Sequence, residues 1–150
     1  MSRLQLALNV ENLEESIAHY TKLFGVGPAK VRPGYANFAV VTPPLKLVLI
    51  ENPGADDSIN HLGVEVESVD EVRSEHDRVT AAGLPVWVEC ETTCCYSVQD
   101  KFWVEGGAHK FEVYTVLADA DQMKNTPAAA ATTSGAEVCC APQAQTVAFK

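Results

Sequence analysis

An internal repeat restricts this chain more than any other feature. Val10-Glu11-Asn12-Leu13-Glu14-Glu15 matches Val66-Glu67-Ser68-Val69-Asp70-Glu71 at an offset of 56, and Gly27 falls on Gly83 at the same offset. Lys46-Leu47-Val48-Leu49 matches Lys110-Phe111-Glu112-Val113 at an offset of 64, so the second copy has longer connecting loops. Repetition of this length marks a duplicated structural module, so the fold must be built from two similar halves.

The elements of each half follow from hydrophobic periodicity. Leu4, Leu6, Leu8 and Val10 alternate with Gln5, Ala7 and Asn9, the period of a strand with one buried face. Asn12 with Glu15 resembles a capping box, and Leu13, Ile17, Tyr20 and Phe24 then recur at helical spacing up to Gly25. Extended stretches follow near 29–32, 35–41 and 45–51, divided by Pro33-Gly34 and Pro43-Pro44. In the second half, Leu62, Val64 and Val66 form the first strand, and Ser68 with Glu71 caps a helix carrying Val72, His76 and Val79. Extended stretches near 85–90, 96–104 and 110–117 complete it. The expectation is an α+β fold of two tandem βαβββ modules, about 3–52 and 59–118, forming one cupped mixed sheet within a domain of residues 1–118. The composition changes at about Asp119, and the Ala/Thr/Ser/Gly-rich run from Ala128 to Gly135 predicts a flexible tail over 119–150.

The repeat also selects functional residues. If each helix covers the Leu/Val face of its first strand, Gln5 and His61 lie on the opposite face at equivalent positions. Glu112 corresponds to Val48 on the last strands. A pseudo-two-fold pairing of the halves brings the four positions together, and three of them carry metal-capable side chains. Taken alone, His61 reads as a hydrogen-bonded strand histidine; its equivalence to Gln5 makes it a ligand. An amide oxygen, an imidazole nitrogen and a carboxylate suit a borderline divalent ion such as Fe(II), Mn(II), Ni(II) or Zn(II). Three ligands leave positions open, as a reactive centre requires. His19 and His76, on the helices, read as surface or partly packed residues, and His109 has no support from the repeat.

Paired βαβββ halves with ligands on their first and last strands resemble the vicinal oxygen chelate superfamily over roughly residues 3–117. Within it, Leu4-Gln5-Leu6-Ala7-Leu8, the run from Ala29 to Ala39, Pro44-Leu45-Lys46-Leu47-Val48-Leu49, Asn60-His61-Leu62-Gly63-Val64-Glu65-Val66 and Thr93-Cys94-Cys95-Tyr96 look like the ArsI-type carbon–arsenic lyases. The CadI-type cadmium-induced proteins share much of this pattern. The segment Gly106-Gly107-Ala108-His109-Lys110-Phe111 departs from the Gly-Pro-Gly-Gly turn and Trp usual in the lyases. The resemblance implies Fe(II) on Gln5, His61 and Glu112, and a trivalent organoarsenical on the vicinal pair Cys94 and Cys95. Two thiolates suit such a thiophilic centre, although adjacent strand residues point to opposite faces. The pair therefore needs irregular backbone, expected as a loop at Glu91-Thr92-Thr93.

The implied activity is dioxygen-dependent cleavage of the carbon–arsenic bond of methylarsenite or reduced aromatic arsenicals, giving arsenite. Two alternatives stand beside it: sequestration of cadmium or another soft ion, and a glyoxalase-like isomerase, against which Val48 argues unless Glu51 supplies a fourth ligand. Phe38, Tyr96, Phe102 and Trp103 are candidates for the pocket wall, with core packing the commoner role. Cys90 reads as a packing residue, and Cys139-Cys140 as accessory thiols in the tail. A net charge of −9 disfavours nucleic acid and anionic membrane surfaces. No apolar run approaches the roughly 20 residues of a bilayer span, and the N-terminus does not read as a signal peptide. The expected location is the cytoplasm, where most of the five cysteines are reduced. The halves pair either within one chain or by exchange in a homodimer.

Overall fold

The first half of the chain folds as β1 (Arg3–Val10), α1 (Leu13–Phe24), β2 (Lys30–Arg32), β3 (Tyr35–Val40) and β4 (Leu45–Glu51). The second repeats it as β5 (Ile59–Glu65), α2 (Val69–Ala81), β6 (Val86–Cys94), β7 (Ser97–Val104) and β8 (Phe111–Asp119). This is a computed structural model, and it describes residues 1–124. The strands form one curled eight-stranded sheet in the order β2-β3-β4-β1-β5-β8-β7-β6. The halves meet at β1 and β5, which pair antiparallel within the one chain. In each half the first and last strands are parallel neighbours, as a helical crossover between them requires. Ala7 lies beside Val48 and Gly63 beside Glu112, so the two sequence offsets reappear as one register.

Each helix covers its own half of the convex face. Leu13, Ile17, Tyr20 and Phe24 of α1 pack on Ala36, Phe38, Leu47 and Leu49, with Leu6, Leu8 and Val10 from β1. Val72 and Val79 of α2 pack on Val66, Phe102 and Val113. The Asn12 side chain accepts from the Glu15 amide (2.9 Å), and Gly25 closes α1 at φ 69°. At α2 the box is reciprocal: the Glu71 amide donates to Ser68 Oγ (3.2 Å) and the Ser68 amide to Glu71 Oε2 (3.1 Å). Of the two positions open to His76, surface or packed, the structure shows the packed one on the stripe with Val72 and Val79. It is buried, with its ring edge-on to Phe102 at 5.4 Å.

The larger difference lies in the second half. β6 does not stop near Cys90 but continues to Cys94, with a bulge between Glu89 and Thr92 and Glu91 at φ 46°. The loop expected at 91–93 is therefore bulged strand. Cys90, read as a packing thiol, is disulfide-bonded. Residues 119–124, placed by sequence at the start of the tail, continue the fold: Ala120 donates to the Tyr96 carbonyl (3.0 Å), and the Met123 carbonyl accepts from the Cys95 amide (2.7 Å). Cys139 and Cys140 lie outside the described residues. No helix among the described residues is long and apolar enough to cross a membrane.

Burial assigns the energetic weight. Phe38 is fully buried against Tyr20 and Phe24, whereas Leu23 on the same helix is 63% exposed. Phe38→Ala is expected to lower unfolding free energy by about 3–5 kcal/mol, and Leu23→Ala by no more than about 0.5 kcal/mol, both read from urea denaturation midpoints.

Candidate active site

The period of two along the central strands sorts side chains between the faces. Leu6 and Leu8 turn toward α1, leaving Gln5 and Ala7 on the concave face. The antiparallel pairs Gln5–Gly63 and Ala7–His61 exchange under the pseudo-two-fold relating the halves. Gln5, His61 and Glu112 are buried and in mutual contact: Gln5 Nε2 lies 3.0 Å from His61 Nε2, and Glu112 Oε1 lies 3.1 Å from His61 Nε2 and 2.5 Å from Gln5 Nε2. Val48, the fourth equivalent position, packs with Ala7, Tyr35 and Tyr96. Glu51 is elsewhere, accepting from the Leu13 amide at the start of α1 (2.8 Å). Among the described residues no three His, Cys, Asp or Glu side chains gather as a metal cluster; here the third donor is an amide.

Glu112 is held as a carboxylate. Burial pushes its pKa up, but the hydrogen bond from His61 and the charge of Lys101 together hold it below the usual range. Lys101 is itself fully buried, with Nζ 3.1 Å from Glu112 Oε2 and 4.9 Å above the centre of the Trp103 ring. Burial favours loss of its proton, yet Glu112, Cys94 and Glu89 hold its pKa above the ordinary lysine value. Trp103 meets the His61 ring edge-on at 5.2 Å. His61 Nδ1 lies 2.7 Å from Asn60 Oδ1, and Asn60 Nδ2 donates to Asn9 Oδ1 (2.9 Å). Asn9 Nδ2 in turn donates to the Asp57 carbonyl (2.8 Å). With each amide oriented by the next, Asn60 offers an acceptor to an Nδ1–H, the tautomer that leaves the Nε2 lone pair for a cation once one replaces the Nε2–Glu112 hydrogen bond.

The cysteine pair sits at the tip of the β6–β7 hairpin. Cys94 pairs with Ser97, so Cys95 and Tyr96 form a two-residue turn, with φ of 56° and 59°. Two positive φ values define the primed hairpin turn that Asn-Gly normally supplies. Side chains bearing Cβ there cost on the order of 1–3 kcal/mol each. The turn is held from several sides: by the bonds to Ala120 and Met123, by Lys30 Nζ to the Tyr96 carbonyl (3.1 Å), and by the Tyr96 hydroxyl to the Pro33 carbonyl (2.9 Å). The chain reverses between the two cysteines, which removes the opposition of a flat strand and leaves their Sγ atoms 3.2 Å apart. The pair parts its two protons. Cys94 is pulled down to about 6, chiefly because Cys95 donates a hydrogen bond to its thiolate, with Lys101 and His61 adding positive potential against burial. The Cys95 thiol is pushed up by giving that bond and by burial.

Several functional neighbours have no signal in the sequence. A Cβ on Gly63 would sit 2.7 Å from Glu112 Cγ, so the glycine makes room for the carboxylate. Lys101, Tyr114 and Asn60 are recognised only through cross-strand or adjacent contacts. Of the candidate wall residues, Phe38 and Phe102 belong to the helix-covered cores, while Tyr96 and Trp103 stand on the concave side with Tyr35. His19 meets the Tyr20 ring edge-on, and His109 lies 3.7 Å from Asp57, both away from Gln5, His61 and Glu112.

One eight-stranded cup of two βαβββ halves, with Gln5, His61 and Glu112 meeting on its concave face, is the architecture that the comparisons with known proteins share. The chain belongs to the Glyoxalase/Bleomycin resistance protein/Dioxygenase superfamily, whose family model matches residues 3–122. It is 54% identical over 142 residues to the cadmium-induced protein CadI of Mycobacterium tuberculosis, covering 93% of each chain. It is 52% identical over 145 residues to the trivalent organoarsenical cleaving enzyme of Thermomonospora curvata, covering 95% of this chain and 91% of the relative. In fold it is similar to the Mn(II)-bound glyoxalase of Novosphingobium aromaticivorans, with a TM-score of 0.54 and 18% identity over 83% of this chain and 41% of that one.

Two outcomes follow from the geometry. Gly63→Ala should displace Glu112 and weaken divalent-metal binding about tenfold or more, read by calorimetry, and should also lower the melting temperature, because the methyl meets the Glu112 carbonyl oxygen as well. Alkylation of Cys94 follows its thiolate, so its rate should be half-maximal near pH 6 rather than near the roughly 8.5 of a free thiol. Cys95→Ala should move that midpoint upward, because it removes the hydrogen bond to the thiolate.

Proposed function

We propose that this chain is an Fe(II)- and dioxygen-dependent enzyme that cleaves the carbon–arsenic bond of trivalent organoarsenicals, methylarsenite and reduced aromatic arsenicals among them, releasing arsenite. The observation that carries the reading is the turn-borne thiol pair, with Sγ atoms 3.2 Å apart beside the buried Gln5–His61–Glu112 set. The 52%-identical relative named as a trivalent organoarsenical cleaving enzyme supports it.

The donor set fits a divalent ion. His61 Nε2 and Glu112 Oε1, 3.1 Å apart, can turn their lone pairs to one cation, and the Gln5 amide beside them has an oxygen to offer. These three residues would hold the metal and leave open positions. Fe(II), when bound, supplies the one-electron chemistry that dioxygen requires. The chain's own residues take the substrate. The Cys94 thiolate attacks the arsenic of a dihydroxyarsine, and one hydroxyl leaves as water with a proton. Cys95 then displaces the second hydroxyl, its own proton completing the second water. Two As–S bonds replace two As–O bonds, and arsenic remains trivalent with its carbon substituent attached. Lys101 and His61 favour the first thiolate. Tyr35, Tyr96 and Trp103 give the organic substituent an apolar surround and limit water. Holding arsenic on two sulfurs fixes the carbon–arsenic bond relative to the ligand set, which is the positional part of catalysis.

Anaerobic Fe(II)-loaded protein given methylarsenite should release arsenite only once oxygen is admitted, and Cys94→Ser/Cys95→Ser should reduce release to the background rate. Equal release without oxygen, or undiminished release by the double variant, would sink the reading. The 54% likeness to CadI favours a second reading, in which the same thiols sequester cadmium. Tight cadmium binding together with no arsenite release from the iron-replete, oxygenated protein would select it.

A further inference from the structure

We propose that Tyr114, anchored by Glu65, is a positioning residue that selects which end of the Gln5 amide faces His61 and Glu112. The inference rests on the metal reading of Gln5, His61 and Glu112, and concerns how the amide among them is aimed.

Glutamine is the ligand that most needs aiming. Its oxygen binds cations and its NH2 does not, and the two ends have nearly the same shape. Gln5 is buried between two sets of partners. On one side Nε2 donates to Glu112 Oε1 at 2.5 Å and lies 3.0 Å from His61 Nε2. On the other, Oε1 accepts from the hydroxyl of Tyr114, which is fully buried and also lies 2.9 Å from Glu65 Oε2. Glu65 is a fixed anion. Lys46 Nζ reaches its Oε2 at 2.8 Å and Arg3 Nη2 its Oε1 at 2.9 Å. Against burial, which pushes its pKa up, these two cations hold it below the usual carboxylate value. Lys46 also lies 5.0 Å over the Tyr114 ring, so the three groups form one packed unit.

The donor count determines the consequence. Tyr114 has one hydroxyl proton, and Glu65 can only accept. With Oε1 of Gln5 toward Tyr114, one proton serves two close oxygens, so the phenol oxygen faces either Gln5 Oε1 or Glu65 Oε2 with no proton between them. Turning the amide by half a revolution removes the conflict. Nε2 then donates to the Tyr114 oxygen, Tyr114 donates to Glu65, and every polar atom on that side is satisfied. The amide oxygen now faces His61 Nε2 and Glu112 Oε1, a set of three acceptors that a cation closes. Tyr114 and Glu65 thus favour the amide orientation that ligates, while Glu112 favours the other in the absence of a cation. Two buried oxygens in contact without a proton between them are costly, so the bias is strong enough to affect affinity.

The test measures binding of Co(II) alone by calorimetry, with melting temperature as a fold control. Tyr114→Phe should weaken binding about 10–100-fold, the usual range for a residue that orients a ligand. Gln5→Glu offers oxygen at both ends and needs no selection, so adding Tyr114→Phe to it should change affinity less than about threefold. Glu65→Gln keeps the phenol but can donate to it, and should also weaken binding; it tests the proposal if Tyr114→Phe fails to fold. The proposal is overturned if wild type binds Co(II) and Tyr114→Phe binds equally well. It is also overturned if Tyr114→Phe costs the same in the wild-type and Gln5→Glu backgrounds, or if the replacement tested is Glu65→Gln and affinity is unchanged. Failure of the wild type to bind Co(II), or equal binding by Gln5→Ala, would instead overturn the metal reading itself.

Discussion

The antiparallel seam between β1 and β5 is the constraint on which the rest depends. Strand side chains alternate with a period of two, so a one-residue slip at this seam would turn Gln5 or His61 toward the helices. The register is fixed because each strand is apolar on its helix-covered face: Leu6, Leu8 and Val10 on one, Leu62, Val64 and Val66 on the other. Hydrophobic burial on the convex side thus determines polar placement on the concave side.

That placement puts an unusual amount of charge out of water. Glu112, Lys101 and Lys46 are buried, and Glu65 is partly so, yet each has an opposite partner at about 3 Å. Removing one partner strands the other, which is why such groups are maintained in sets. Lys101 also acts at the hairpin tip, where its charge favours the Cys94 thiolate while Glu112 opposes it. Ligand set and thiol pair share one electrostatic environment although they come from different strands.

The sequence made much of this visible. The repeat located the halves, the strand order within each, and the three converging side chains, because an offset of 56 links Gln5 to His61 without any knowledge of packing. It could not reveal the turn at Cys95-Tyr96, since neither residue has the glycine or asparagine that signals positive φ. Met123, Ala120 and Lys30 enforce that backbone, and they are distant in sequence. Asn60, Tyr114 and Lys101 were hidden for a related reason: they become functional through which atom they face across the sheet. His76 was left between surface and packed because helical spacing gives a face but not the depth at which Phe102 meets it.

Ala7 and Gly63 occupy equivalent positions in the two halves, beside Val48 and Glu112 respectively. Alanine suits valine, but a methyl at position 63 would press on the Glu112 side chain. A duplicated module with alanine at both positions would set that methyl against both the Glu112 Cγ and the Glu112 carbonyl oxygen, at 2.7 and 2.9 Å. The difference between one alanine and one glycine therefore marks where the two copies part: the half with the acid is the half without the methyl. The first half, which kept its methyl, kept its valine.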